Sequence, residues 1–306
     1  LRNSTRDNKL KEEYDARQTA LKWVLVTSFG YLGFNNAKFG RIDAHIAVCA
    51  FDREILIQTI RTAEEQRFRV LHAIVDSIWV QKHGDRNPSQ CDYDALKQTI
   101  ENKTNFAISL EGVYKWIAFV PSKSNDILGV PNRYFGVFQD GTLKLRGIEA
   151  RRHDTPIFFS NYQQLILNTL SEANTINEVK SMFPKIHRIF QTHLRFLKER
   201  RVSLNELAFT KRISKNYNEY EDRNTVEHNA ILNLSGGGKS LKAGQILKYI
   251  VTDYYRKNSK KRSIPIELVN SRTKYDIKRY CEVLREVTNT ITEPFGLSMS
   301  IDNIHF

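Results

Sequence analysis

The sequence contains few cysteines and no long hydrophobic run. Three cysteines, Cys49, Cys91 and Cys281, are spread over 306 residues. Their odd number and wide spacing argue against a disulfide framework and a cysteine-based zinc site, and they fit a reducing cytoplasm. No stretch of about 18 consecutive apolar residues occurs, so no membrane-spanning helix is predicted. No signal-peptide pattern, low-complexity segment or internal repeat is visible either.

A complete phosphate-binding loop is also missing. The segment SGGGKS (235–240) lacks the glycine that this motif needs five residues before its Gly-Lys pair, because Asn233 stands there. It lies between a predicted helix and a predicted strand, the reverse of the usual order, so we interpret it as a turn. Four histidines show no metal-ligand spacing with the cysteines: His72, His153, His187 and His193.

Acidic residues are outnumbered by basic ones. Lys and Arg total 47 against 34 for Asp and Glu, which gives a net charge of +13 and a sequence pI near 9.6. This balance favours a polyanionic partner, usually nucleic acid. A solubilising basic surface is the alternative that the charge alone allows. The length and the 41% hydrophobic content predict one large or two moderate globular domains.

The first third of the chain shows helical and hairpin patterns. Apolar residues at helical spacing predict helices over 9–35 and 42–66, and a further helix is predicted over 92–104, with Asp92 near its N-terminal cap. Between them, FRVLHAIVDSIWVQK (68–82) has two β-rich runs around one carboxylate, Asp76. We predict a β-hairpin with Asp76 at its tip, where an acidic group can meet water or a cation.

The remainder is predicted to change from strands to helices near Pro156. Strand-like runs occupy 106–112, 113–120, 134–139 and 142–148, and Asp140-Gly141 predicts the hairpin turn between the last two. One short β-like piece, 244–253, interrupts the helices predicted afterwards, which are 160–172, 175–182, 184–200, 222–234 and 274–292. The fold class is therefore α+β, with an antiparallel sheet.

The first helix carries residues that resemble motif B of the family B (alpha-like) DNA polymerases. That motif is Lys, three residues, Asn-Ser, one residue and Tyr-Gly. Here Lys22 and Gly30 match it, while Val26 takes the Asn position, Thr27 the Ser position and Phe29 the Tyr position.

The hairpin resembles motif C of the same family, Tyr-Gly-Asp-Thr-Asp-Ser. The aligned residues are HAIVDS (72–77), so the second Asp is kept as Asp76 and the first is replaced by Ile74. A single Asp preceded by Val is similar to the divergent archaeal branch often called the second B-type polymerase, and to related bacterial proteins.

Later segments extend the resemblance over almost the whole chain. They are RYFGVFQDGTLKLRGIEARRHDTP (133–156), FTKRISKNYNEY (209–220) and KYDIKRYCEVLREVTNTITEPFG (274–296). The resemblance implies a polymerase palm with an antiparallel sheet plus the end of a fingers helix, followed by a mostly helical thumb. The implied divisions are 1–40 for the fingers end with motif B, 41–158 for the palm and 159–306 for the thumb.

The implied activity is DNA-directed DNA synthesis by two-metal phosphoryl transfer. Asp76 would be a ligand to a pair of Mg²⁺ ions, which prefer hard oxygen donors, and Glu111 matches a family Glu near that site. For Glu111, a solvent-facing strand residue is an equally good interpretation. Lys22 would face the triphosphate of the incoming dNTP, and Phe29 and Gly30 would contact its base.

Primer–template DNA would bind along the basic residues of the later segments. Family members carry Lys, one residue and Tyr where this chain has Asn132, Arg133 and Tyr134. Phosphate contacts of this kind hold DNA without reading its sequence. The predicted DNA-binding residues are Arg133, Tyr134, Arg146, Arg152, Lys211, Arg212 and Lys215, which would make the protein nucleoid-associated. The basic run 256–262 is either a phosphate-contacting loop or a solvated one.

The family's motif A, an Asp followed by Ser-Leu-Tyr-Pro, has no counterpart before Lys22. One Asp cannot hold two metal ions, so the second carboxylate is expected from outside this chain, on an N-terminal polymerase half or subunit. We expect either a piece of a longer protein or the smaller subunit of a split polymerase. The alternative is a catalytically weak or inactive relative that binds DNA as an accessory subunit, which Val26, Phe29 and Ile74 favour. An RNA-binding module has only the charge in its favour.

Overall fold

The computed structural model describes residues 7–84, 88–125, 128–216, 219–220, 225–236, 241–256 and 261–301. The chain divides into two compact units, Leu1–Glu111 and Gly112–Phe306. We call them the first and the second unit. None of the described helices is long and apolar enough to span a bilayer.

The described part of the first unit contains three helices and one hairpin. Its elements are α1 (Asn8–Leu32), α2 (Ile42–Glu65), β1 (Phe68–Ile74), β2 (Ser77–Lys82) and α3 (Gln90–Thr104). The two long helices and the hairpin are confirmed. Its core is a small cluster formed where α2, α3 and the hairpin meet: Ala63, Phe68, Leu96 and Ile100.

One detail of the first unit differs from the prediction: the segment 106–112 forms no strand, although its apolar residues alternate. Asp92 lies near the N-terminal cap of α3, as predicted. The cap is Ser89, and Asp92 is the third helical residue and completes a capping box. The Asp92 carboxylate accepts hydrogen bonds from the Ser89 N–H and hydroxyl and pairs with the Lys82 ammonium group.

The second unit opens with a three-stranded antiparallel sheet in the order β3–β4–β5, formed by β3 (Tyr114–Pro121), β4 (Gly129–Phe138) and β5 (Leu143–Arg146). The predicted Asp140-Gly141 turn joins β4 to β5, and Gly141 has the positive φ of 87° that suits glycine. A 3₁₀ turn, Glu149–Arg151, follows.

Helices follow as predicted, together with a second sheet that the sequence reasoning missed. The helices are α4 (Ile157–Leu170), α5 (Ile176–Ser181), α6 (Phe183–Lys198), α7 (Val226–Gly236) and α8 (Ile277–Thr292). Of the segment predicted as the helix 222–234, residues 222–224 lie outside the described residues. The β-like piece is confirmed as β7 (Ile246–Val251), but it is the central strand of a sheet whose short outer strands are β6 (Phe209–Arg212) and β8 (Ser263–Pro265).

One apolar cluster runs through the second unit. It joins strand residues such as Phe135 to helix residues such as Phe159, Phe190 and Leu284, all with no exposed surface. A buried hydrogen bond also joins α4 to α8 within this cluster, because the Tyr162 hydroxyl lies 2.7 Å from the Thr288 hydroxyl. The α+β class is confirmed, while the palm–thumb boundary near residue 158 stays a prediction.

Candidate functional site

Asp76 lies at the tip of the β1–β2 hairpin. Ile74 pairs with Ser77 across the two strands, which leaves Val75 and Asp76 as a two-residue loop. The Asp76 side chain is exposed, and one carboxylate oxygen accepts a hydrogen bond of 3.2 Å from the Ser77 hydroxyl. Within the described residues it forms no ion pair. The paired strands therefore present an uncompensated carboxylate on a short, well-defined turn.

The residue before Asp76 has a strained backbone. Val75 has a φ of 51°, which is sterically unfavourable for a β-branched side chain, and its side chain is 63% exposed. Glycine, asparagine or aspartate would adopt this conformation at lower cost. Such strain concentrates at sites where the direction of a neighbouring side chain matters, and here the neighbour is Asp76. Sequence reasoning missed this feature, although a valine in a two-residue loop was a visible signal.

The chain supplies only part of a metal site. Asp76 offers the hard oxygen that Mg²⁺ prefers, whereas the half-buried, apolar Ile74 offers no ligand atom. Glu111 is exposed and follows α3 outside any strand. Among the residues that the structure describes, no group of three or more His, Cys, Asp or Glu side chains could hold a metal ion.

Lys22 and Phe29 lie on the same side of α1. The spacing of Lys22, Val26 and Phe29 places them on one stripe of a helix, and all three side chains are exposed. Arg17 forms an i,i+4 ion pair with Glu13 at 2.5 Å on the exposed surface. This pair partly neutralises the Arg17 charge at the exposed surface of α1.

The two glycines of this helix end differ in their surroundings. A Cβ atom at Gly30 would meet no described atom within 4 Å, whereas one at Gly33 would lie 3.1 Å from the ring of His45. Packing against His45 therefore explains why a glycine stands at position 33, whereas no packing contact explains the glycine at position 30. The same imidazole is stacked on Phe29, with ring centroids 4.3 Å apart, a contact that no sequence pattern predicts.

In the second unit, Arg133 is held by an internal network. Its guanidinium pairs with the Glu149 carboxylate at 2.9 Å and donates to the Gly147 carbonyl at 3.1 Å. Glu149 also accepts a hydrogen bond from the Gln163 amide at 2.8 Å. Gly147 has a φ of 63°, and a Cβ there would lie 2.1 Å from the Asn132 carbonyl oxygen. Arg133 therefore joins β4 to the turn after β5.

The neighbouring predicted DNA contacts are divided between buried and exposed positions. Tyr134 is only 5% exposed, and its ring packs against Phe119 with centroids 5.6 Å apart. Arg146 lies directly opposite Tyr134 in the β4–β5 register, and its side chain is exposed at the end of β5. Of Tyr134 and Arg146, only Arg146 is exposed to a polyanion.

Arg152 is paired with an acidic neighbour. Its guanidinium contacts both carboxylate oxygens of Asp154, at 2.9 and 2.6 Å. This fork-to-fork geometry lowers the pKa of Asp154 and raises the pKa of Arg152, in both cases mainly through the shared hydrogen bonds. The charge of Arg152 is therefore partly neutralised locally.

The remaining predicted cations lie on and just after β6. Lys211, Arg212 and Lys215 are all exposed, and the Arg212 guanidinium donates to the Gly244 carbonyl at 3.3 Å. Lys211 also lines a cavity of about 480 Å³ together with Asp154, Phe209, Tyr249 and Arg262. The basic run 256–262 falls mostly outside the described residues.

Comparison with known proteins agrees with the motifs. The model of DNA polymerase family B matches residues 1–294. The chain is 27% identical to "DNA polymerase 1" of Saccharolobus solfataricus over 98% of its own length and 32% of that protein. It is 32% identical to "DNA polymerase 2" of the same organism over 61% of its length and 27% of that protein.

Solved structures extend the likeness to the fold. The family B DNA polymerase from the hyperthermophilic archaeon Pyrobaculum calidifontis matches with a TM-score of 0.62 at 22% identity, covering 97% of this chain and 36% of that one. The chain thus spans about a third of the curated relatives and of the structure that it matches. Because the family model covers nearly every residue, this chain belongs to DNA polymerase family B.

Proposed function

We propose that this chain is the palm and thumb portion of a DNA-directed DNA polymerase. The reaction is template-dependent attack of a primer 3′-hydroxyl on the α-phosphate of a dNTP, with release of pyrophosphate. Membership of family B supports the reaction class. The observation that carries the assignment in this chain is Asp76, an exposed carboxylate without an ion-pair partner among the described residues, on a two-residue hairpin loop.

Asp76 has the chemistry of a metal ligand in this reaction. Two Mg²⁺ ions, when bound, activate the attacking hydroxyl and stabilise the charge on the phosphates. The part that this chain supplies is the negative oxygen of Asp76, held by paired strands and oriented by the Ser77 hydroxyl. Glu111 is a second candidate ligand. The motif A carboxylate would complete the site from outside the chain.

Lys22 and Phe29 would receive the nucleotide on one face of α1. The ammonium group of Lys22 is exposed and can offset negative charge that builds up on the leaving pyrophosphate. Phe29, two turns further along the helix, offers an aromatic ring on which a base can stack. Gly30 leaves space beside it, since nothing in the described structure occupies the position of its missing side chain.

The missing carboxylate would come from an N-terminal polymerase half or subunit. The chain spans about a third of its curated relatives, and α1 has no buried residue along its 25 residues. A helix with this many exposed apolar side chains gains stability when another element covers it. The exposed apolar side chains of α1 therefore form a surface that such a polypeptide would cover and stabilise.

Primer–template DNA would lie along the basic surface of the second unit. The exposed candidates for phosphate contacts are Arg146, Lys211, Arg212 and Lys215. Arg133 and Arg152 would act mainly by holding the turn after β5 and the segment before α4, because carboxylates already neutralise them. We place the palm at 41–158 and the thumb at 159–306.

The test is Asp76→Asn in a polymerase assembled from this chain and a part carrying motif A. Asparagine keeps the size and hydrogen bonding but removes the negative charge, so primer extension should slow by about a hundredfold or more. DNA affinity, measured by fluorescence anisotropy, should stay within a factor of two or so of the parent. Asp52→Asn, an exposed Asp on α2, is the matched control and should extend primers normally.

Two results would contradict the proposal. Robust primer extension by these 306 residues alone would show that no external carboxylate is required. Extension by Asp76→Asn at the parent rate would show that the motif C assignment is wrong, and the chain would then be better described as a DNA-binding relative without catalysis.

A further inference from the structure

We infer that His45 is a positioning residue that holds the Phe29 ring where the incoming base pair packs. The inference rests on the proposed function, because it takes Phe29 as the nucleotide-facing residue of α1. It adds a residue from a different helix, α2, which none of the sequence motifs includes.

The stacking contact is the first observation. The Phe29 and His45 rings lie 4.3 Å apart between centroids, with 26° between their planes. The Phe29 side chain nevertheless keeps 40% of its surface exposed. His45 therefore supports part of the phenyl ring and leaves the rest available for a base. Stacked aromatic pairs restrict ring motion and add stabilisation beyond area burial alone.

A hydrogen bond reinforces the same pair. Nδ1 of His45 lies 3.2 Å from the Phe29 carbonyl oxygen. A carbonyl only accepts hydrogen bonds, so the contact requires the proton of the imidazole on Nδ1. The Phe29 carbonyl is one of the last four of α1, the group that a helix leaves without regular partners. His45 thus contacts both the ring and the backbone of Phe29.

The link between the helices keeps His45 in this place. The Arg41 N–H donates to the Leu32 carbonyl at 3.0 Å, and the His45 N–H donates to the Arg41 carbonyl at 3.1 Å. Gly33 leaves room for the imidazole, since a Cβ there would lie 3.1 Å from it. Gly40 is restricted more tightly, because a Cβ there would lie 2.5 Å from the Phe34 carbonyl oxygen.

This arrangement compensates for a chemical difference at position 29. Phe29 stands where the family motif has Tyr, so it lacks a hydroxyl that could anchor the far edge of the ring by a hydrogen bond. The stack on His45 fixes the ring from its face instead. Loss of the stack should weaken dNTP binding by about two- to tenfold, the range that aromatic pairs span in affinity.

The experiment compares three substitutions in the polymerase assembled from this chain and a part carrying motif A. His45→Ala removes both contacts, His45→Phe keeps the ring without the hydrogen bond, and His45→Asn keeps a donor without the ring. Ile46→Ala, at an adjacent exposed position of α2, is the control. The KM for dNTP and kcat are measured separately, and thermal unfolding shows whether each variant folds.

We expect a higher KM with a smaller change in kcat for His45→Ala and His45→Asn, and a KM near the parent value for His45→Phe and Ile46→Ala. If His45→Ala does not fold, the KM for dNTP of His45→Phe is compared with that of His45→Asn, and this comparison decides whether the ring of residue 45 is required. An unchanged KM in His45→Ala, or the same KM in His45→Asn as in His45→Phe, would overturn the proposed role of His45. Neither result would count against the proposed function. No primer extension by the assembled parent would instead count against the proposed function and, with it, this role.

Discussion

The two units of the chain bury their apolar residues to very different extents. The first unit has a core of Ala63, Phe68, Leu96 and Ile100, and the exposed large hydrophobic side chains of the molecule are concentrated in it, most of all along α1. The second unit has one extended cluster that joins both of its sheets to its helices. Its α6 and α8 bury a regular apolar stripe.

This difference separates a unit with an extended buried core from a unit whose described residues bury only a small one. Buried apolar area is the main favourable contribution to folding, and the first unit has little of it. The proposed nucleotide-facing residues Lys22 and Phe29 nevertheless lie in the first unit. The residues proposed to receive the nucleotide therefore lie in the unit whose described residues form the smaller core.

The largest expected effect is on hydrogen exchange. A helix of 25 residues without buried side chains is marginally stable in water, whereas amides in the core of a cooperative unit exchange only through global opening. In the chain alone, α8 amides should exchange at least about a thousandfold more slowly than those of α1. Hydrogen–deuterium exchange followed by mass spectrometry measures this, and equal protection of the two helices would remove the distinction between the units.

A smaller effect is expected for truncation of buried and exposed side chains. Phe159 has no exposed surface and stacks with Tyr280 at 6.2 Å, so Phe159→Ala should lower the free energy of unfolding of the second unit by about 3–5 kcal/mol. Leu25 on α1 is 72% exposed, and Leu25→Ala should change the free energy of unfolding of the first unit by less than about 0.5 kcal/mol.

Urea unfolding of the chain, followed by near-ultraviolet circular dichroism, measures both variants. A large loss for Leu25→Ala would show that the first unit has a core that its exposed side chains do not reveal.

The smallest effect concerns pH and the second unit. Burial lowers the pKa of His193, whose Nδ1 lies 2.8 Å from the Ile189 carbonyl. Below the ordinary histidine pKa of 6.5, the unfolded chain therefore binds more protons than the folded one, so stability falls as the pH decreases from 7 towards 5. His193→Phe should flatten this part of the stability–pH curve, and His187→Gln, an exposed change on the same helix, should not. An identical slope in His193→Phe and the parent would contradict the assignment.

Local signals in the sequence were sufficient for the long helices, the Asp76 hairpin and the Asp140-Gly141 turn. Each depends on periodicity or turn chemistry within about a dozen residues. The strands β6 and β8 could not be found this way, since they have four and three residues and exist because β7 pairs with both. Their stability comes from partners distant in sequence.

The strand predicted at 106–112 was wrong because the segment has a strand-like pattern but no strand to pair with in the described structure. Phe106, Ile108 and Leu110 alternate as in a strand, yet all three are exposed. The Ile108 N–H donates to the Glu101 carboxylate at 2.9 Å instead of to a neighbouring strand. Alternation shows that a segment can form a strand, but a pairing partner decides whether it does.

The candidate site was also predictable only where it depends on local sequence patterns. The hairpin position of Asp76 and the shared face of Lys22 and Phe29 follow from local patterns. The positive φ of Val75 and the stack of His45 on Phe29 depend on the geometry of a particular loop and on contact between two helices. Neither leaves a periodic signal in the sequence.

The two-residue loop that carries Asp76 also limits how this protein can evolve. Because Ile74 pairs with Ser77, an inserted or deleted residue in β2 would turn every following side chain to the opposite side of the hairpin. Ile78 and Val80, which pack against the small core, would then face solvent. Selection should therefore remove length changes from this stretch in any lineage that keeps the fold. Substitutions of Val75, which leave the loop length and Asp76 unchanged, remain open to drift.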